Sequence, residues 1–293
     1  MYKKNCIAGE EIVKISVIIP THNRAELLIN AINSVRRQTE ERLEILVCDD
    51  GSTDLTKEAV LKLANEDPRI RYIDCGNNGH PAIPRNIGIK EARGEWLAFL
   101  DDDDIWNPVK LEIQLFLLNK KNEKACCSNA FVYEDNYNTG VKYFKEKKDD
   151  LYFFRDMIDE NPIICSSMII HKSIIEKCVG FPEAPEFIVG EDYALWHRIA
   201  AYTNIIYIDD PLTGYLIDSN SSVRRRIKRT FSEQKTVIDK DFSAWLKDKN
   251  VIIKLYYIKE KIMYVIERFY RTIKTYLRRL LSKINVIYER NHK

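Results

Sequence analysis

Four consecutive aspartates, Asp101 to Asp104, directly follow the apolar run Trp96 to Leu100. Adjacent carboxylates repel one another and gain nothing from a hydrophobic core, so they make sense where a cation and its anionic ligand are held. Magnesium-type sites use one or two carboxylates together with substrate phosphates. A solvated acidic loop is the alternative, because runs of charge usually face water.

Two further pairs of acids occupy positions where they could do chemistry. Asp49 and Asp50 precede Gly51, which permits the positive φ of a tight turn. The carboxylate of Asp50 can accept a hydrogen bond from a ring N–H such as that of uracil, or it can cap the turn. Glu191 and Asp192 open a helical segment, where the helix dipole stabilises an anion whether or not it takes part in catalysis.

The elements that must position these acids alternate along about the first 120 residues. Four apolar runs predict strands, and each is followed by a helical spacing of apolar residues. The predicted strands are Ile12–Pro20, Leu43–Cys48, Ile70–Ile73 and Trp96–Leu100. The predicted helices are Arg24–Gln38, Asp54–Asn65, Ala82–Ala92 and a fourth that starts at Asn107–Pro108 with Asn107 as N-cap. This alternation predicts an α/β fold with a mostly parallel sheet flanked by helices, whose strand-end acids meet at one ligand-binding edge.

The second half of the chain is less regular. Strands are predicted at Ala125–Tyr133, Ile163–His171 and Ile205–Ile208, and a helix at Asp192–Tyr202. From about Val251 to Tyr288, apolar residues recur every three or four positions with Lys and Arg between them. That spacing predicts a long basic amphipathic helix, or two.

Composition and charge restrict the class of protein. The 293 residues are 45% apolar and 31% charged, as is typical of soluble globular proteins. The net charge of +2 conceals a basic tail of roughly +13 from Arg224 onward and an acidic body near −11. Such a tail fits an anionic membrane surface, whereas the acidic body repels nucleic acid. Because Met1–Glu11 lacks the apolar core of a signal peptide, we expect a cytoplasmic protein that is at most peripheral on the inner face of the membrane.

Five segments, in this order, resemble the family 2 inverting glycosyltransferases of GT-A fold that build bacterial surface polysaccharides. They are Lys14–Arg24, Val47–Asp54, Pro84–Ile89, Phe99–Asp104 and Gly190–Trp196. The resemblance implies a Rossmann-like glycosyltransferase domain at residues 12–222, with a nucleotide-binding half at 12–106 and an acceptor-binding half at 107–222. A basic helical extension then occupies residues 223–293.

The resemblance also implies a nucleotide-sugar site at the ends of the first strands. It makes Asp50 a contact to the base, and Arg85 a contact to the base or the diphosphate. For Arg85 the alternative is an exposed arginine on a helix face. The whole set implied is Pro20, Thr21, Asn23, Asp50, Arg85, Asp101 and Asp103.

The resemblance assigns the metal-binding DxD element to Asp101 and Asp103, which lie on one side if the strand stays extended. Asp103 is expected to contact the metal, Mg²⁺ or Mn²⁺, and Asp101 to lie near the ribose or a metal-bound water. Asp102 and Asp104 are expected to be bystanders, with Asp104 capping the turn before Asn107.

On the acceptor side, the resemblance makes Asp192 the general base and lets Glu191 orient the acceptor. The acceptor hydroxyl then attacks the anomeric carbon opposite the leaving diphosphate, and this one displacement inverts the configuration. Asp218 stands where relatives often carry histidine, so any role of that histidine is in doubt here.

The function implied is metal-dependent transfer of a hexose from a UDP-sugar to a glycan or lipid-linked acceptor. The alternative is a non-catalytic nucleotide-sugar-binding or scaffold protein. The tail could contact anionic membrane through basic residues, pack on the body, or pair with a second copy in a homo-oligomer. The basic residues that would contact the membrane are Lys274, Arg278, Arg279 and Lys283.

Overall fold

The computed structural model describes residues 13–134, 137–145, 150–217 and 230–291, with residues 134, 137–138 and 282–291 described by their backbone alone. The predicted boundaries at 12, 222 and 223 and the departure at Asp218 lie outside the described residues. The described strands are β1 (Ile15–Thr21), β2 (Leu43–Asp49), β3 (Ile70–Asp74), β4 (Trp96–Phe99), β5 (Ile105–Trp106), β6 (Ala125–Glu134), β7 (Tyr137–Lys142), β8 (Leu151–Tyr152), β9 (Ile169–His171) and β10 (Ile205–Leu216). The described α-helices are α1 (Ala25–Arg36), α2 (Thr56–Glu66), α3 (Ala82–Glu91), α4 (Lys110–Lys121), α5 (Lys172–Cys178), α6 (Glu191–Ala200), α7 (Phe231–Lys247) and α8 (Val251–Asn291).

All ten strands join one sheet in the order β3-β2-β1-β4-β9-β6-β10-β5, with β7 paired to β6 and β8 to β10. The first four strands are parallel, as predicted. In the second half only β6 and β10 are parallel, and β5, β7, β8 and β9 join antiparallel. The sheet is therefore mixed: it is parallel in the predicted nucleotide-binding half and largely antiparallel beyond β4.

Helices cover both faces of the sheet, because successive strand residues point to opposite sides. Ile18 and Leu46 enter one buried cluster with α3, α5, α6 and α7, whereas Val17 and Ile45 enter a second cluster with α1, α2 and α4. Strands β1 and β2 are buried along their whole length. A buried parallel pair of this kind fixes where the polar turns at the strand ends lie.

Several predicted elements differ from the structure. Strand β4 ends at Phe99, and the aspartates that follow form a turn in which Asp104 N donates to Asp101 O at 3.1 Å. The strand therefore does not stay extended over Asp101 and Asp103, and the condition for their one-sided alternation is not met. The strand expected over 163–171 is reduced to β9, since residues 165–167 form a 3₁₀ turn, and β10 continues eight residues beyond Ile208.

Helix starts differ as well. Helix α4 begins at Lys110, and Asn107 lies outside it, where its Oδ1 accepts a hydrogen bond from Val109 N at 3.2 Å. The patterns did not predict α7, although Thr230 and Glu233 form a capping box at its start. The predicted basic amphipathic helix is α8. Within the described residues, no helix has both the length and the apolarity needed to cross a bilayer.

Candidate functional site

Three turns meet at the carboxyl ends of β1, β2 and β4, and we call residues 21–24, 49–54 and 101–104 together the acidic edge. The turn after β2 depends on Gly51, whose φ is +77° and whose added Cβ would lie 2.8 Å from Asn77 Cβ. Asp49 supports it, because its Oδ1 accepts from Ser52 N at 2.9 Å and its Oδ2 from Tyr72 Oη at 2.8 Å. The expected positive φ at Gly51 is confirmed.

The carboxylate of Asp50 lies in the same turn and is buried. Its Oδ1 accepts from the backbone N and the Nδ2 of Asn78, at 2.9 and 2.8 Å, and its Oδ2 accepts from Gly79 N at 2.9 Å. Asp50 therefore fastens the loop after β3 to the acidic edge. A contact from Asp50 to a base stays a prediction.

Asn23 joins the turn after β1 to the turn after β2. It takes a left-handed φ of 53°, its N donates to Ser52 Oγ at 2.8 Å, and its Oδ1 accepts from Thr53 N at 2.7 Å. Pro20 and Thr21 end β1, where Thr21 Oγ1 donates to Asp102 at 2.8 Å. Thr21 and Asn23 thus order the neighbouring turns, and the contact of Pro20, Thr21 and Asn23 with a nucleotide stays a prediction.

Arg24 is a site residue that the sequence patterns did not reveal. Its guanidinium donates to Asp102 Oδ1 at 2.9 Å and to Asp103 Oδ2 at 2.8 Å. Asp102 is buried and bonded to both Thr21 and Arg24, so the expectation that its charge is incidental is wrong. Burial and the neighbouring carboxylates raise the pKa of Asp103 to about 7.

Asp104 is nearly inaccessible, and it does not cap the turn before Asn107. Its Oδ1 accepts from Leu216 N at 3.0 Å, whereas its buried Oδ2 has no hydrogen-bond partner among the described residues. Burial raises the pKa of Asp104 well above its usual range. Carboxylate oxygens of Asp101, Asp103 and Asp104 lie within 4.8 Å of one another. This oxygen-only set, with one buried oxygen still unpaired, fits a hard divalent cation such as Mg²⁺ or Mn²⁺.

Arg85 on α3 connects the acidic edge to α6. Its side chain is only 6% exposed; Nη2 lies 2.6 Å from Asp101 Oδ1, and Nη1 lies 2.7 Å from Glu191 Oε1. The guanidinium also lies 5.4 Å from the centre of the Phe181 ring. The alternative of an exposed helix-face arginine is therefore wrong.

Glu191 and Asp192 begin α6 after Gly190, whose φ is +87°. Burial, opposed by Arg85, raises the pKa of Glu191 to about 7. Asp192 is partly exposed; its Oδ2 accepts from Asn161 Nδ2 at 3.4 Å. Of the two acids, Glu191 is committed to an ion pair, and Asp192 faces the more open space.

A cavity of about 440 Å³ lies in front of Asp192, and we call it the Asp192 cavity. Asp101 and Asp192 both line it, whereas Asp50 and Asp103 do not. Aromatic side chains, most of them from distant segments, complete its wall, and the sequence patterns singled out none of them. They are Tyr143, Phe144, Tyr193, Tyr215 and Phe231.

Comparisons with known proteins identify the family of the chain. The family model described as Glycosyl transferase family 2 matches residues 16–179, more than half of the chain. An uncharacterized glycosyltransferase of Rickettsia felis is 34% identical over 235 residues, which are 75% of this chain and 37% of that protein. The chain thus spans well under half the length of that relative. The Escherichia coli UDP-Glc:alpha-D-GlcNAc-diphosphoundecaprenol beta-1,3-glucosyltransferase WfgD is 29% identical, over 87% of this chain and 94% of its own.

Solved structures share the fold at low sequence identity. S. aureus TarS 1–349 in complex with UDP-GlcNAc aligns with a TM-score of 0.63 at 20% identity, covering 78% of this chain and 66% of that one. The mannosyltransferase PcManGT from Pyrobaculum calidifontis, in complex with GDP-Man and Mn²⁺, aligns with a TM-score of 0.55 at 17% identity, covering 90% and 84%. These two structures support the mixed α/β fold.

Proposed function

Because the chain belongs to glycosyl transferase family 2, we propose that it transfers a sugar from a nucleotide-diphosphate sugar to an acceptor hydroxyl with inversion. The observation that carries this proposal is the Asp192 cavity, in which Asp192 and Asp101 share one 440 Å³ space. Arg85 pairs with Asp101 and, on the α6 side, with Glu191. A hydroxyl bound beside Asp192 is thereby brought next to the acidic edge, where we propose that the diphosphate binds.

Asp192 is the better general base of the two acids at the start of α6. It is partly exposed to the cavity, whereas Glu191 is buried against Arg85. In the proposed reaction, Asp192 takes the proton of the acceptor hydroxyl as that oxygen attacks the anomeric carbon. A positioned base of this kind contributes about 10²–10⁴-fold to the rate. Glu191 fixes Arg85, and Arg85 in turn holds Asp101.

The acidic edge is proposed to hold the nucleotide diphosphate with a divalent cation. Asp101, Asp103 and Asp104 offer the oxygen ligands, and Arg24 already balances part of the charge of Asp102 and Asp103. When bound, the cation would neutralise the diphosphate and stabilise the charge that builds on the leaving group. Asp50, Pro20 and Thr21 are proposed to contact the base and ribose, and Asn23 orders the turns around them.

We propose a UDP-hexose as donor and a lipid-linked glycan of a surface polysaccharide as acceptor. WfgD is named for a UDP-Glc donor and a diphosphoundecaprenol acceptor, and it covers most of this chain. The TarS structure contains UDP-GlcNAc on the same fold. The aromatic wall of the Asp192 cavity suits an acceptor sugar, since rings present apolar faces to it.

The experiment is a thermal-shift screen of UDP-, GDP- and dTDP-sugars with and without Mn²⁺, followed by a transfer assay with the stabilising donor. A bound donor raises the melting temperature according to its affinity. We expect Mn²⁺-dependent stabilisation by a UDP-sugar and transfer to a diphosphate-linked lipid acceptor. Stabilisation without any transfer would favour the non-catalytic alternative, and no response to any donor would overturn the proposal.

A further inference from the structure

Helix α8 carries an apolar face that the described part of the molecule leaves uncovered. Side chains spaced by three and four residues are 40–66% exposed, and they lie on one side of the helix. They are Leu255, Ile258, Ile262, Ile266, Phe269 and Ile273. We call this stripe the outer face of α8; it continues through Leu277 and Leu280. Such a contiguous apolar surface on a soluble protein marks an interaction site.

The opposite side of α8 holds the body. Ile253 is buried, and Tyr257 packs on Phe154 with the ring centres 5.2 Å apart. Arg155 pairs with Glu260 and Glu267 on this inner side, each at 2.9 Å. The outer face therefore points away from the body along a helix about 60 Å long.

Charge along α8 changes where the contact with the body ends. Beyond Glu267, the stretch 268–281 contains five bases and no acid. The bases are Arg268, Arg271, Lys274, Arg278 and Arg279. Because a helix is only about 10 Å wide, bases on any side of it lie within one Debye length of a surface that the outer face touches. This stretch suits a partner that is apolar inside and negatively charged at its boundary.

A second copy of the chain fits this surface poorly. A heptad seam that runs through Leu255, Ile258, Ile262, Val265 and Phe269 next meets Thr272 and later Arg279, so a regular coiled coil is interrupted. A parallel pair of copies would also bring the five basic residues of 268–281 against the same five, without acids in that stretch to balance them. The apolar stripe instead keeps the 3.6-residue period of a straight helix lying on a flat surface.

We propose that the outer face of α8 docks on an anionic lipid bilayer, with the helix lying in the plane of the interface. This placement would also set the height of the Asp192 cavity above the bilayer. Helix α8 is joined by an ion pair and a hydrogen bond to the segment 155–161, which forms part of the cavity wall. Arg155 pairs with α8, Tyr264 Oη donates to Asp159, and Glu160 and Asn161 line the cavity. The inference rests on the proposed function in one respect only: a lipid-linked acceptor would be delivered at that height.

The test is co-sedimentation of the full chain with vesicles, without any donor or acceptor. One set contains about 30% phosphatidylglycerol in phosphatidylcholine, and the other contains phosphatidylcholine alone. We expect the anionic vesicles to bind the chain at least tenfold more tightly, and this preference to shrink at high salt. Equal binding to both sets, or binding to neither, would overturn the proposal.

Charge variants test the basic part of the surface. The triple variant Lys274→Gln, Arg278→Gln and Arg279→Gln should weaken binding about 100-fold, because each base near an anionic surface contributes about fivefold. The matched control removes three exposed lysines from the body through Lys62→Gln, Lys90→Gln and Lys240→Gln. An equal loss in the control would mean that net charge alone, and not α8, attracts the vesicles.

Apolar variants test insertion of the outer face. Phe269→Glu with Ile273→Glu removes two exposed apolar side chains from the outer face, whereas Thr272→Glu with Thr275→Glu adds the same charge outside it, on the flank and on the far side of α8. The first pair should weaken binding more than about 100-fold beyond the second. If the chain forms a dimer and does not bind vesicles, and if only the first pair of substitutions abolishes that dimer, the outer face belongs to a second copy. If the chain transfers sugar to a water-soluble acceptor but does not bind vesicles, docking on the bilayer is rejected and the proposed function is retained.

Discussion

At the acidic edge, neighbouring turns are bonded directly to one another, whereas the Asp192 cavity collects its walls from segments far apart in the chain. Asn23 and Asp50 each accept two or more hydrogen bonds from a neighbouring loop. Asp192 instead is partly exposed: its Oδ1 accepts from Tyr193 N of its own helix at 2.6 Å, and its Oδ2 accepts from Asn161 Nδ2 at 3.4 Å. One side of the site is thus pre-organised for a ligand of fixed shape, and the other leaves room for an incoming hydroxyl.

The sharpest test of this contrast is Asp192→Asn, which keeps the shape of the cavity and removes the base. Turnover should fall about 10²–10⁴-fold, while the affinity for UDP at the acidic edge changes little. Initial rates and UDP titration calorimetry measure the two quantities. Glu176→Gln, at an exposed acid of α5 outside the cavity, is the matched control and should retain activity. Full turnover in Asp192→Asn would show that Asp192 is not the general base.

Arg85→Met tests the bridge between the two regions. It leaves the buried carboxylate of Glu191 and the partly exposed carboxylate of Asp101 without their shared partner, and breaking a buried pair such as Arg85–Glu191 costs about 3–5 kcal/mol. Urea unfolding measures the loss of stability. The double variant Arg85→Met with Glu191→Gln should recover part of it, and failure to recover any would show that the two groups are not coupled.

His197 on α6 makes the stability of the acceptor-side core depend on pH. Its burial lowers the pKa to about 4, whereas an unfolded histidine titrates near 6.5. Below pH 6.5 the imidazole of His197 binds a proton in the unfolded chain, whereas in the folded chain it stays neutral down to about pH 4. Stability is therefore fully present above pH 6.5 and falls by about 3 kcal/mol as the pH drops to 4. Unfolding curves for the wild type and His197→Gln should differ in slope across this window; equal slopes would contradict the assignment.

Asn23→Ala tests the pre-organisation of the acidic edge and should have the smallest effect. It removes the acceptor for Thr53 N and places alanine at a φ of 53°, so we expect a loss of about 1–2 kcal/mol in stability. Asn23→Gly keeps the left-handed φ and lacks only the acceptor, so it separates the two causes. UDP affinity should fall in both variants. An unchanged affinity would mean that these turns do not shape the ligand site.

The first half of the fold was predictable because its signals are local. Apolar runs alternate with helical spacings, and the acids follow the strands directly, so β1 to β4 and the positions of Asp50 and Asp101 could be read in sequence order. The second half of the fold was less predictable. Strand β9 has only three of the nine residues expected for it, and α7 was not predicted. Their stability comes from packing on distant partners, such as Phe242 of α7 against Phe154 and His197.

The sequence by itself determined the family, the parallel half of the sheet and which acids follow the strands, since each depends on residues close together in the chain. Only the tertiary structure decided how those acids are used. It paired Arg24 with Asp102 and Asp103, paired Arg85 with Asp101 and Glu191, and buried Asp104 with an unpaired oxygen. These partners are 16 to 106 residues apart, and no local pattern encodes them. They meet because the sheet brings the carboxyl ends of its strands to one edge, where burial makes unpaired charge costly.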